Sequence, residues 1–174
     1  MVNAHLVEEG GEVTIVDAAM ARGDVKQAGQ VMGSIRPIPM LRVLVWASQH
    51  GLLRVRHIGV VETFGDPTPL DLPRAPRVVL APGHTAGSAA LQFARHGALF
   101  AGDALATYAV TTGRTGPQIA PSSEDPARAI ESLARLEAID AALVLPGHGA
   151  PFAGSPAEAV RLALAAEATS RGEA

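Results

Sequence analysis

His84, Asp103 and His148 share one local setting. His84 follows Val78-Val79-Leu80 by way of Pro82-Gly83, Asp103 follows Ala98-Leu99-Phe100 by way of Gly102, and His148 follows Leu143-Val144-Leu145 by way of Pro146-Gly147 and precedes Gly149. Each side chain thus stands in a loop just past a short apolar run. In α/β folds such loops gather at one edge, where strand ends converge and loop sequence can vary. The glycines permit tight turns and close backbone approach. Imidazole nitrogen and carboxylate oxygen suit zinc and similar divalent ions. Taken singly, each residue has a plainer reading, because histidine in a Gly-Pro loop and aspartate after glycine are ordinary turn residues. The threefold recurrence of the setting is what points to metal chemistry.

These loops need elements to hold them. Val2 to Val7 and Glu12 to Val16 form an expected hairpin, with Glu9-Gly10-Gly11 as the turn and Asp17 at its end. Residues 21 to 39 match no regular element. Met40 to His50 suits a short helix closed by Gly51. Leu52 to Val61 reads equally as helix or strand, and Thr63 to Leu72 is turn-rich. Strands are expected at Arg77 to Leu80, Ser88 to Ala94, Ala98 to Phe100 and Leu143 to Leu145. Arg95-His96-Gly97 turns the chain, and residues 106 to 124, rich in Thr, Gly, Pro and Ser, read as a loop. Asp125-Pro126 is an N-cap with proline at the first helical position, followed by a stripe of Ile130, Leu133, Ala134 and Glu137. Ser155-Pro156-Ala157-Glu158 is a capping box opening a last helix to about Thr169. Strands alternating with helices predict an α/β layered fold. Residues 1 to 174 read as a single domain, with no linker or repeat.

Composition removes several function classes. Apolar residues make up 48% and charged residues 18%, which suits a packed core rather than a disordered chain. The net charge of −3 gives no electrostatic footprint for nucleic acid. The absence of cysteine excludes disulfides, thiolate metal sites and cysteine nucleophiles. No apolar run reaches membrane-spanning length, and the first residues lack the pattern of a secretory signal, so a cytoplasmic location is the expectation. No nucleophile elbow, P-loop or dinucleotide fingerprint is present. His5 and His96 sit in or beside hairpins and read as structural. Arg54-Val55-Arg56-His57 reads as a solvated face.

The motifs around the three residues carry a family resemblance. Pro82-Gly83-His84-Thr85-Ala86-Gly87-Ser88 resembles the P-G-H-T-x-G-S motif of the metallo-β-lactamase superfamily. Leu99-Phe100-Ala101-Gly102-Asp103 resembles its apolar strand ending in G-D, and Leu145-Pro146-Gly147-His148-Gly149 its P-G-H-G. Ile15-Val16-Asp17-Ala18 is similar to an early strand and turn of the family. Order and spacing agree over residues 77 to 165. The resemblance implies a four-layer αββα sandwich and a hydrolase using one or two metal ions, zinc or another divalent cation. It implies that His84 is a ligand of the first metal, His148 of the second, and that Asp103 bridges both and is the catalytic residue. The implied reaction is attack of activated water on a small-molecule ester, thioester, lactam or phosphoester. Asp17 would support loops.

One part of the family pattern is missing. The signature H-x-H-x-D-H belongs between the first hairpin and P-G-H-T, where it supplies ligands to both metals. The six histidines are His5, His50, His57, His84, His96 and His148, and no two are two apart. Only residues 18 to 83 lie between Asp17 and His84, so an internal deletion is the simplest reading and the sandwich is expected to be incomplete. A catalytic zinc usually takes three protein ligands. His84, Asp103 and His148 would serve one ion if they converge, or leave two ligands to each of two ions. His50 or His57 could replace a lost ligand. Three readings stay open: a hydrolase with impaired activity, a non-catalytic remnant that binds metal weakly, and a domain completed by a partner chain in a homo-oligomer. Lost strands would expose sheet edge and apolar surface, which favour association.

Overall fold

The computed structural model describes residues 4–17, 41–42, 45, 48–49, 64–65, 69–72 and 74–172. Its centre is a five-stranded sheet made of β3 (Arg77–Leu80), β4 (Ala89–Phe93), β5 (Ala98–Gly102), β8 (Leu143–Pro146) and β9 (Phe152–Ala153), in the order β3-β4-β5-β8-β9. All neighbours pair antiparallel except β5 and β8, which run parallel. Parallel neighbours need a long crossover. Here that crossover holds β6 (Ala106–Tyr108), β7 (Thr115–Gln118) and helix α1 (Pro126–Glu137). Helix α2 (Pro156–Gly172) follows the sheet, and β1 (Ala4–Glu9) with β2 (Glu12–Asp17) precedes it.

The period of two along β5 decides the layers. Leu99 and Ala101 enter one core cluster with Val144 of β8, Leu133 and Leu136 of α1, and Val160 and Ala163 of α2. Ala98 and Phe100 point the other way and cluster with Phe93 and with Val7 of β1, flanked by Val16, Leu91, Leu143 and Leu145. Helices therefore cover one face of the sheet and the N-terminal hairpin lies against the other. A mixed sheet with helices makes the chain α/β, as the alternation of elements predicts.

Local chemistry fixes the helix starts. The Asp125 side chain accepts a hydrogen bond from the Arg128 backbone N–H at 3.0 Å, and Pro126 needs no donor of its own. Ser155 Oγ accepts from the Glu158 N–H at 3.1 Å. In the N-terminal hairpin, Gly10 and Gly11 at φ +59° and +86° make the turn that brings Glu9 opposite Glu12.

Two expectations change. Residues 106–124 are not all loop, because β6 and β7 pair antiparallel there and the Arg114 guanidinium ties their hairpin to the Ala166 carbonyl of α2 at 3.2 Å. Two-residue β9 was not anticipated, and α2 runs on to Gly172. The expected turn at Arg95-His96-Gly97 is present, as a 3-10 turn over Ala94–His96 closed by left-handed Gly97. Leu41, Arg42, Val45, Ser48 and Gln49 are helical, in keeping with the helix expected over 40–50. The stretches 21–39 and 52–61, with His50, Arg54, Arg56 and His57, lie outside the described residues. Among the described residues no helix is long and apolar enough to cross a membrane.

Candidate metal centre

The His84 loop leaves β3 and is closed by its own side chains. Ala81 N–H donates to the Ser88 carbonyl at 2.8 Å, and Thr85 N–H to Ser88 Oγ at 2.9 Å. The hydroxyls of Thr85 and Ser88 lie 3.0 Å apart. That is a physical reason for threonine and serine three residues apart in this loop. The start of α1 holds the loop from the other side. Asp125 N–H donates to the Gly83 carbonyl at 2.9 Å, Glu124 N–H to the His84 carbonyl at 3.0 Å, and Ser132 Oγ to the Pro82 carbonyl at 2.6 Å. Gly83 is required here: its φ is +137°, and a Cβ would overlap the backbone of Ala129.

The other two loops are joined to each other. β5 ends at left-handed Gly102, and the Gly102 carbonyl accepts from Gly147 N–H at 2.9 Å. This bond fixes the loop of Asp103 against that of His148. Thr107 of β6 holds the far side of the His148 loop, its N–H donating to the His148 carbonyl at 2.9 Å.

The three side chains meet. His84 Nε2 lies 3.5 Å from Asp103 Oδ2, and His148 Nε2 lies 3.3 Å from Asp103 Oδ1. All three are at most one fifth exposed. Each histidine thus faces a different oxygen of one carboxylate. Two ligands at about 2.1 Å from a tetrahedral ion are roughly 3.4 Å apart, so each His–Asp pair has the spacing of two donors on one cation. Asp103 Oδ1 and His84 Nδ1 are buried without a hydrogen-bond partner. A buried carboxylate oxygen without a donor is unfavourable, and a cation beside it would satisfy it. The donor types and the pairwise spacing therefore fit divalent cations. The number of donors is short: among the described residues no group of three or more His, Cys, Asp or Glu side chains could hold an ion. A pair at each oxygen, rather than three donors on one point, is the arrangement present.

The remaining candidates fall elsewhere. Asp17 closes β2 opposite Ala4. The His5 ring meets Phe100 edge-on, with centroids 5.1 Å apart, and its Nε2 lies 3.4 Å from the Pro146 carbonyl. His96 is exposed at the end of its 3-10 turn. Two residues that hold the site escaped sequence reasoning. Ser132 carried a usable signal, since it is polar on the buried stripe of α1 beside Ala129, Leu133 and Leu136. Thr107 carried none, being one threonine in a threonine-rich stretch.

Comparison with known proteins gives the family and the fold. The family described as the metallo-beta-lactamase superfamily matches residues 31–148, more than half of the chain. The metallo-beta-lactamase family protein TTHA1429 from Thermus thermophilus is 26% identical with a TM-score of 0.52, over 72% of this chain and 41% of its own. A beta-lactamase domain protein from Burkholderia ambifaria is 28% identical with a TM-score of 0.50, over 68% of this chain and 36% of its own. The chain therefore spans well under half of either relative. TTHA1623, solved in a di-iron-bound form, is 20% identical with a TM-score of 0.54 over 93% of each chain, a likeness of fold alone. No curated protein matches.

Proposed function

The chain belongs to the metallo-β-lactamase superfamily, and on that premise we propose that it is a metal-dependent hydrolase of small ester-like molecules, slowed by a reduced ligand set. The observation that carries this reading is the Asp103 carboxylate with one histidine at each oxygen, 3.5 and 3.3 Å away. His84 and Asp103 would hold one cation, and His148 and Asp103 a second. When bound, such cations lower the pKa of water and stabilise the negative charge that develops on an attacked carbonyl or phosphoryl group. The chain's own share is placement. Three strand-end loops, two joined by the Gly147–Gly102 bond and the third fastened to α1, hold two imidazoles and a carboxylate largely out of bulk water. Candidate substrates are esters, thioesters, lactams and phosphoesters. Zinc suits the donors, and imidazole with carboxylate also suits iron and manganese.

The test is bound metal per chain, by elemental analysis of protein dialysed against zinc, iron or manganese. The wild type should hold metal. Asp103→Ala should lose all of it, because both pairs share that carboxylate, whereas His84→Ala and His148→Ala should each lose part. A wild type without metal would sink the proposal. Equal, complete loss in all three variants would replace the shared-carboxylate arrangement with a single-ion site.

The absence of a three-donor group among the described residues favours a second reading. In it the chain is a weak cation-binding module without turnover. Metal bound stoichiometrically, with no hydrolysis of activated esters above the Asp103→Ala background, would select it.

A further inference from the structure

We propose that Thr107 is the residue that positions His148, an inference that rests on the metal-centre reading above. His148 sits in a turn that needs Gly149 at φ +97°, a conformation open to few residues besides glycine. Such a turn has two exposed carbonyls to settle, one on each side of the glycine. Thr107 takes both. Its N–H donates to the His148 carbonyl at 2.9 Å. Its hydroxyl donates to the Ala150 carbonyl at 2.6 Å and lies 3.3 Å from the His148 carbonyl. A hydroxyl has one proton, so the short bond to Ala150 is the principal one.

Contact on the remaining side is steric. A Cβ on residue 149 would overlap Thr107 Oγ1 and the Tyr108 N–H. Glycine and threonine are thus fitted to each other, and the backbone that carries the imidazole has one seat. The Thr107 strand is itself anchored, because its hairpin partner β7 packs on α2. Asp103 faces the same imidazole from the opposite loop. Among the described residues each cation would have two protein donors, so the placement of this ring bears directly on affinity.

The test uses the whole chain in three variants. Thr107→Val keeps the shape and the N–H bond and removes only the hydroxyl. Thr107→Ser restores the hydroxyl. Arg114→Gln removes one exposed bond between the hairpin and α2 and leaves the β7 packing and the His148 turn in place. In metal-free, 15N-labelled protein, the histidine ring correlations are recorded, with His148→Gln assigning the relevant signal. Thr107→Val should shift or broaden the His148 ring signals and leave those of His84 in place. Thr107→Ser should restore them, and Arg114→Gln should not reproduce the change. Cobalt(II) titration, followed by visible absorption, should then show roughly tenfold weaker binding in Thr107→Val and recovery in Thr107→Ser, the size expected when support of a ligand is lost. Unchanged His148 ring signals in Thr107→Val overturn the proposal, as does an equal change in Arg114→Gln. A wild type that takes up no cobalt counts against the metal-centre reading alone, since the ring spectra decide the role of Thr107 without metal.

Discussion

Among the described residues, the two faces of the central sheet are covered to different degrees. On the helix side, Leu99, Ala101, Val144, Leu133 and Leu136 are all at most 1% exposed. On the hairpin side, Leu91, Leu143 and Leu145 stay half-buried, and a cavity of about 230 Å³ runs between His5, Val16, Leu91, Phe100 and Leu145. The alternation along β5 is equally apolar in both directions, so the strand is built to be buried twice. What differs is the cover. Two helices close one face, whereas a two-stranded hairpin lies on the other and exposes Leu6 to 70% on its outer side. The ligand loops are held chiefly by the finished side, since α1 fastens the His84 loop and β6 the His148 loop.

Leu99→Ala should show the largest difference between the faces. It removes a fully buried side chain from the closed core, and unfolding in urea should register a loss of about 4 kcal/mol. Gly83→Ala comes next. The new Cβ meets the backbone of α1 at a φ that side chains avoid, and a loss of about 3 kcal/mol is expected, with weaker metal binding through the displaced His84. Leu145→Ala, one residue beyond Val144 and on the opposite face, should lose only about 1 kcal/mol, because its side chain is only half-buried and already borders a cavity. Similar losses for Leu99→Ala and Leu145→Ala would break the comparison and mean that both faces are sealed in solution.

The sequence exposes the finished side better than the thin one. Val78 to Leu80, Ala98 to Phe100 and Leu143 to Leu145 are apolar runs punctuated by Gly and Pro, and each is a strand with a site loop at its end. Asp125-Pro126 and Ser155-Pro156 mark helix starts because capping is a local interaction between side chain and backbone. β6 and β7 were illegible for the converse reason. Strands of three and four residues, one containing Pro117, are too short to show a period, and their pairing depends on packing against α2. Proline is tolerated there since each strand of a two-stranded ribbon has an unpaired edge. The convergence of His84, Asp103 and His148 was readable as shared loop settings and as family motifs. That each histidine takes its own carboxylate oxygen was not, because side-chain direction depends on how each loop is fastened, the His84 loop to α1 and the other two to each other.

The smallest predicted effect is the most informative about the thin face. Leu6 alternates with His5 and Val7 along β1, and the period of two sends it away from the sheet. A leucine left 70% exposed contributes little to folding, so Leu6→Ser should change stability by no more than about 0.5 kcal/mol. Its register partner on β2 is Ile15. If the outward side of the hairpin is covered in solution, Leu6 behaves as a core residue and the substitution approaches the loss predicted for Leu145→Ala. Repeating the urea titration over a hundredfold range of protein concentration separates the two sources of cover. A loss that grows with concentration assigns it to a second copy of the chain. A loss independent of concentration assigns it to the chain itself, and the contrast between the two faces then shrinks accordingly.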